Sequence, residues 1–369
     1  MNKLIYANTK NSDLLYLLKM NIPDPFFFLE NDKGSFVFLD SREFGVFQEK
    51  NKNTEISAIL LDPIISKLQA SGNYSLPNLA KEIISNYSNS SKLLVPDNFP
   101  LNVFNSLKES NFDISVDSDL FPARKIKGSL EIDFIKDNLD KTKKVFSLIE
   151  NILKEAMIKD DFLYHKDGFL SSELIKDMVS NSLFKDKMFN FEGIIISSGP
   201  QSSMPHHPGS GKILANQPII CDIFPRSLEN NYFADMTRTY VKGRASNELK
   251  NIFNGVLSVQ EKMISKIKPG ESGKHFYDLT CKEFNNLGFF SSSEEGFIHG
   301  LGHGLGLDVH EGPYLNKLGE EVLYPGNIVT IEPGLYYKKT GGIRIEDVVV
   351  ITGSGCENLT NYHKMLEIK

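Results

Sequence analysis

Asp222, Asp235, His303, Glu332 and Glu346 stand far apart in a 369-residue chain, yet each sits inside a short, distinctive run. Asp222 lies in Ile219-Ile220-Cys221-Asp222-Ile223-Phe224, a carboxylate between apolar residues of strand character. Asp235 follows Phe233-Ala234 and precedes Met236-Thr237-Arg238-Thr239-Tyr240. Glu332 lies between Val329-Thr330-Ile331 and Pro333-Gly334, and Glu346 between Ile343-Arg344-Ile345 and Asp347-Val348. Burying an ionised acid costs several kcal/mol unless a cation or a hydrogen-bonded partner compensates. Taken singly, each of these acids is ordinarily a satisfied ion pair. Only Arg238 and Arg344 stand near them in sequence, so four unrelated salt bridges explain the set poorly. A dinuclear metal centre explains all four together. Four carboxylates and one imidazole form a hard, oxygen-rich donor set, better suited to a pair of divalent ions than to the single zinc held by Cys and His.

The imidazoles fall in two segments. The run His299-Gly300-Leu301-Gly302-His303-Gly304-Leu305-Gly306-Leu307-Asp308-Val309-His310-Glu311 carries three of them. Its glycines exclude a helix that would present His299 and His303 as an i,i+4 zinc pair. Leu305, Leu307 and Val309 alternate instead, which predicts a turn leading into a strand. The same glycines do not make a phosphate cradle, because the G-x-G-x-x-G order followed by a helix is absent and interleaved His are foreign to that device. His206 and His207, in Met204-Pro205-His206-His207-Pro208-Gly209, precede Asp222. A His in such a loop is often plain surface, but five of the chain's 8 His fall in these two segments, which favours a site.

Two halves of similar order must position these residues. From residue 128 on, Ile132, Ile135, Leu139, Phe146, Ile149, Leu153 and Ala156 recur at helical spacing, and a second helix spans Ser172–Leu183. Strand-like runs follow at Gly193–Ser197, Pro218–Asp222 and Tyr232–Val241. The order then repeats, with helices near Asn247–Ile267 and Lys274–Leu287, split by Pro269-Gly270, ahead of strands carrying His303, Glu332 and Glu346. A pseudo-duplicated domain with its site at the join is the expectation. Upstream, Phe26–Leu29, Ser35–Leu39, Ile56–Leu61 and Leu93–Val95 are β-prone, and Ser75 and Pro77 start a helix toward Tyr87. This first part holds no His, and reads as a structural or oligomerising α/β domain. The boundary falls near Pro122–Lys127, giving domains 1–127 and 128–369.

Composition is that of an ordinary globular chain, 40% hydrophobic and 24% charged. A net charge of −6 gives no electrostatic reason to propose nucleic acid or an anionic membrane as partner. The 3 Cys, without CxxC spacing, argue against a disulfide framework and a thiolate metal site. Polar residues interrupt the N-terminus before a signal-like core develops, and no run approaches the roughly 18 apolar residues that span a bilayer. The cytoplasm is the expected compartment.

Together these motifs resemble the pita-bread metallopeptidases, in the aminopeptidase P and prolidase branch that cleaves Xaa-Pro bonds. The run His299 to Glu311, the Asp235-Met-Thr-Arg-Thr segment, Glu332-Pro-Gly-Leu-Tyr336 and Arg344-Ile-Glu346-Asp347 carry the resemblance, which covers roughly residues 131–369. It implies an α+β pita-bread catalytic domain behind an N-terminal α/β domain, and a homodimer. It implies that Asp222 holds one divalent ion, that His303 and Glu332 serve the other, and that Asp235 and Glu346 bridge them. Manganese is the first choice of metal, with cobalt or zinc as alternatives. Two such ions, about 3.5–4 Å apart, share a water and make hydroxide available near neutral pH for attack on the carbonyl before proline. In that scheme Glu332 shuttles the proton to the departing nitrogen, and His206 and His310 hydrogen-bond the carbonyl oxygen. His299 lines the proline pocket, and Arg344 holds a substrate carboxylate or orients Glu346. The stretch from Asp222 to Asp235 is slightly longer than the family pattern, and Pro225-Arg226 stands where a Gly-containing turn is common, so Arg226 is a candidate modifier of substrate access. The implied activity is release of an N-terminal residue ahead of proline from a peptide, with an Xaa-Pro dipeptidase as the alternative. A metal-free peptide-binding protein and a creatinase-like amidinohydrolase share the fold, but both predict a broken acid set, and here all five ligands are intact.

Overall fold

The computed structural model describes residues 2–52, 54–166 and 168–369. The chain divides into two compact units, Met1–Arg124 and Lys125–Lys369. In the first, six strands form one mixed sheet in the order Ile56–Leu60, Gly34–Leu39, Phe26–Asn31, Asn2–Ala7, Lys92–Val95, Asp113–Val116. Alternation along the strands decides which face each side chain fills. Leu4, Phe27, Leu29 and Phe38 pack with Leu79, Ile83, Val103 and Leu107 of the helices on one side. Ile5, Phe28, Val37 and Leu39 pack with Leu14, Leu18 and Phe47 on the other. Ser75 caps the helix Leu76–Tyr87 by accepting from the Asn78 N–H, as the start signal predicts. The sequence reading lacked the strand Asn2–Ala7, which pairs with both Phe26–Asn31 and Lys92–Val95 inside the sheet.

The second unit repeats a pattern of two helices followed by antiparallel strands. The helices Ser129–Glu155 and Ser172–Lys185 precede a sheet ordered Ile194–Ser198, Ile219–Ile223, Met236–Lys242, Glu367–Ile368. The helices Asn247–Lys266 and Gly273–Asn286 precede a sheet ordered Glu311–Leu315, Gly302–Gly304, Ile328–Ile331, Asp347–Ile351, Cys356–Asn358. Ser171, Ser246 and Ser272 cap three of the four helices with their side chains. The duplicated order expected from the sequence is therefore present. The join between the halves is polar. The Arg344 N–H donates to Thr239 Oγ1 at 3.0 Å, and the Glu346 N–H donates to the Thr237 carbonyl at 3.1 Å. No helix among the described residues is long and apolar enough to cross a membrane.

One hairpin in the second half is interrupted. Ile328–Ile331 pairs with Asp347–Ile351, and Gly334–Tyr337 pairs with Gly341–Arg344, in the same register on both sides of a gap. The gap holds Glu332-Pro333 on one strand and Ile345-Glu346 on the other. Pro333 has no N–H to offer a ladder, so the chain can leave the pleat there. Glu332 and Glu346 are thus cross-strand neighbours at a break in the sheet, and neither lies within a strand as the sequence reading placed them.

Candidate metal centre

Five separate segments of chain deliver the five candidate ligands to one cavity of about 530 Å³, lined also by His206, His299, His310 and Arg344. Asp222 sits inside the strand Ile219–Ile223, opposite Thr237. Asp235 stands immediately before the strand Met236–Lys242, which begins later than the sequence run predicts. His303 is the middle residue of Gly302–Gly304. A Cβ at Gly302 would collide with the Thr330 carbonyl, and one at Gly304 with the Gly312 carbonyl. Close approach of neighbouring strands is thus the reason for these glycines. The strand expected over Leu305–Val309 is absent. The Gly306 N–H turns back to the Asp308 carbonyl at 3.1 Å, and Leu305, Leu307 and Val309 are all buried in an irregular loop before Glu311–Leu315 begins.

Ligand atoms of Asp235, His303 and Glu346 all lie within 4.8 Å of one another. His303 Nδ1 donates to the Gly304 carbonyl at 3.0 Å, which orients Nε2 toward the acids. Nε2 is 3.2 Å from Glu332 Oε1 and 3.9 Å from Asp235 Oδ2. Thr237 Oγ1 donates to Glu346 Oε2 at 2.8 Å, and Thr330 Oγ1 donates to Glu332 Oε1 at 3.2 Å. Two buried carboxylate oxygens, Asp235 Oδ1 and Glu346 Oε1, have no hydrogen-bond partner among the described residues. Burial, then the neighbouring Glu346, Asp222 and Glu332, holds the Asp235 carboxyl well above the usual carboxylate range. Burial followed by Glu332 and Asp222 does the same to Glu346. Asp222 is raised too, again mainly by burial, although Arg344 opposes this. Glu332 is the exception. Burial works against its charge, but the hydrogen bond and charge of His303, with Arg344 further off, outweigh it and bring it to about 2. A crowd of acids with orphaned oxygens needs protons or cations, and its hard donors fit divalent ions.

Arg344 departs from one expected role. Its Nη2 donates to Asp222 Oδ2 at 2.6 Å, and its Nε reaches Thr237 Oγ1 at 3.3 Å, so it touches Asp222 and meets Glu346 only through a threonine. Nη1 donates to the Tyr336 hydroxyl at 2.7 Å, and that hydroxyl is 3.0 Å from His299 Nε2. His299 Nδ1 donates to the Gly300 carbonyl at 2.7 Å, and with the ring kept neutral by burial its Nε2 accepts from the Tyr336 hydroxyl. His206 faces the cavity, whereas His207 Nδ1 accepts from the Gly209 N–H within its own loop. Arg226 does not line the cavity. It bonds Asn231 and lies over the rings of Phe191 and Phe233. The sequence reading missed the roles of Thr237, Thr330 and Tyr336. The two threonines stand two residues from Asp235 and Glu332, a same-face spacing in extended chain that was available as a signal.

Burial, with help from Arg344, lowers His299 to about 4, against the opposing pull of Glu332. A histidine with a depressed folded pKa binds fewer protons than the unfolded chain, so its contribution to stability is lost as pH falls from about 6.5 toward about 4. The stability advantage of wild type over His299→Asn is expected to shrink by about 1–2 kcal/mol between pH 7 and pH 4.5, a value discounted because the ring opens partly onto the cavity. Urea denaturation of both proteins at the two pH values measures this, and a pH-independent difference would contradict it.

Comparison with known proteins agrees with the geometry. Residues 140–353 match Metallopeptidase family M24. The chain is 34% identical over 243 residues to the uncharacterized peptidase YqhT of Bacillus subtilis, an alignment spanning 63% of this chain and 67% of that one. It is 38% identical over 173 residues to the Xaa-Pro dipeptidase of Pyrococcus furiosus, spanning 47% of this chain and 48% of the relative. The solved structure of the prolidase from Pyrococcus furiosus superposes with a TM-score of 0.79 at 23% identity, over 98% of this chain and 97% of that one. That likeness bears out the expected α+β pita-bread fold.

Proposed function

The chain belongs to metallopeptidase family M24, and from that premise we propose that it hydrolyses the peptide bond between an N-terminal residue and proline, as an Xaa-Pro aminopeptidase. The observation that carries the proposal is the convergence of four acids and His303 on one cavity, with two buried carboxylate oxygens that have no partner among the described residues. Asp222, Asp235, His303, Glu332 and Glu346 would hold two divalent ions, manganese first, with cobalt or zinc as alternatives. Bound there, such ions supply the Lewis acidity that brings the pKa of a water toward about 7.

The chain's own residues do the rest. Glu332, ionised at neutral pH, takes the proton of the attacking water and passes it to the departing proline nitrogen. His206 and His310 line the same cavity and offer hydrogen bonds to the substrate carbonyl as its charge develops. His310 is pushed down by burial and by His303, so it acts as a neutral donor. His299 lines the cavity and, held in one tautomeric arrangement by the buried Tyr336 hydroxyl and Arg344 behind it, forms a fixed wall for the proline ring. An Xaa-Pro amide has no N–H, so this shaped wall replaces the backbone grip that a general peptidase uses.

A dipeptidase acting only on Xaa-Pro is the second reading, favoured by the name carried by the 38% identical relative. The metal-free binding protein and the amidinohydrolase are disfavoured by the intact, converging donor set. A cytoplasmic homodimer completes the proposal. Purified protein assayed on Gly-Pro and on a longer Xaa-Pro peptide tests it. Hydrolysis with manganese and none with chelator are expected, and preference for the longer peptide separates the first reading from the second. Full activity in chelator would overturn both.

A further inference from the structure

Gln260 lies on the helix Asn247–Lys266, on a face otherwise filled by Leu249, Ile252, Val256, Val259 and Met263. It is fully buried. Its Nε2 donates to the Ile331 carbonyl at 3.1 Å and to the Ile345 carbonyl at 3.3 Å. These two residues immediately precede Glu332 and Glu346 and flank the break in the hairpin. Across that break the backbone offers little else, since Pro333 has no N–H and the Ile345 N–H reaches the Pro333 carbonyl only at 3.5 Å. One side-chain amide therefore spends both its hydrogens on the two carbonyls next to the two glutamates. Its own Oε1 has no partner among the described residues, an unfavourable arrangement in an apolar helix face unless the donors serve a purpose.

We infer that Gln260 is a positioning residue that fixes the separation of Glu332 and Glu346, and through it the affinity of the centre for divalent metal. The inference rests on the metallopeptidase reading. An amide bridging two strands acts as the missing rung of the ladder, holding a cross-strand pair of like-charged ligands at a set spacing against their mutual repulsion. A helix-borne rung also ties the two ligands to the rigid core of this half rather than to a loop.

The test is calorimetric titration of manganese into chelator-treated, dialysed protein, with thermal unfolding of the same metal-free samples. Gln260→Met keeps the length and removes both donors. It is expected to bind manganese about 10–100-fold more weakly, as loss of outer-shell support does elsewhere, while the metal-free fold unfolds close to the wild-type temperature. Gln260→Asn keeps the amide but withdraws it by one methylene, and the same loss is expected if the Met variant does not fold. Affinity within about twofold of wild type in a folded variant would overturn the role. Failure of both variants to fold would assign Gln260 to stability alone and overturn it too. Wild-type protein that takes up no manganese would instead sink the metal reading on which the inference stands.

Discussion

Replacing Asp235 with asparagine is expected to cut kcat/KM on an Xaa-Pro peptide by about a thousandfold, roughly 4 kcal/mol of barrier, while the metal-free protein keeps its fold. Asp235 is buried, reaches 3.9 Å from His303 Nε2, and keeps one oxygen with no hydrogen-bond partner among the described residues. A neutral amide oxygen in its place is a poorer ligand for a hard cation, and it removes one of the negative charges that two ions need. The effect on stability has the opposite sign. An acid whose folded pKa is raised stabilises the fold below its unfolded pKa, and that contribution is lost as pH climbs toward the folded value. Chelated wild type is therefore weakened by Asp235 at neutral and alkaline pH, whereas Asp235→Asn is not. Thermal unfolding in chelator at pH 5 and pH 8 is expected to show the variant gaining on wild type as pH rises. Turnover retained by the variant would remove Asp235 from the centre. Turnover lost together with the fold would mean that the acid serves structure, not metal.

The residues that converge on this candidate site were legible in the sequence because their signals are local. An acid set in an apolar run, as Asp222 is between Cys221 and Ile223, is expensive to bury alone, and several such acids need a shared reason. The helices were equally plain, since their apolar spacing and Ser caps lie within a single segment. What escaped depends on partners distant in the chain. Arg344 was read beside Glu346 but pairs with Asp222, because the strand Ile219–Ile223 lies across the join and presents its carboxylate to the guanidinium. Leu305, Leu307 and Val309 alternate like a strand, yet the chain turns back at Gly306, where a Cβ would meet the Glu311 carboxylate, and Glu311 turns inward to a buried ion pair with Lys127. Gln260 carries no local mark, since a lone amide on an apolar face gains meaning only from the carbonyls opposite it. The strand Asn2–Ala7 escaped for a different reason: Asn2 and Lys3 break its apolar run, and its burial is supplied by neighbours from later in the sequence.

The largest loss of stability is expected at Arg238, the second arginine beside the acids. It pairs with none of the five candidate ligands. Its Nη2 meets Asp347 Oδ1 at 2.8 Å, and the guanidinium also donates to the carbonyls of Thr237, Glu346, Tyr362 and His363. Both partners are buried, Asp347 completely. Burial alone would raise Asp347, but Arg238 and then Lys364 hold it below the usual carboxylate range. Arg238→Met leaves that carboxylate with Lys364 and Asn358 and strips a donor from four carbonyls, at an expected cost of about 3–5 kcal/mol, or a Tm lower by on the order of 10 °C. Arg238→Lys recovers only part of this, because an ammonium cannot reproduce the planar fork that spans both strands and the C-terminal segment. The pH dependence identifies the cause. A depressed acid contributes stability above its unfolded pKa, which is lost as pH falls toward its folded value. That loss only begins as pH drops below the ordinary aspartate range, so the deficit of Arg238→Met measured by denaturant unfolding is expected to be smaller at pH 2.5 than at pH 7. A deficit equal at both would place the whole effect in lost packing and in the unsatisfied carbonyls, and the Arg238–Asp347 pair would then contribute nothing net to the fold.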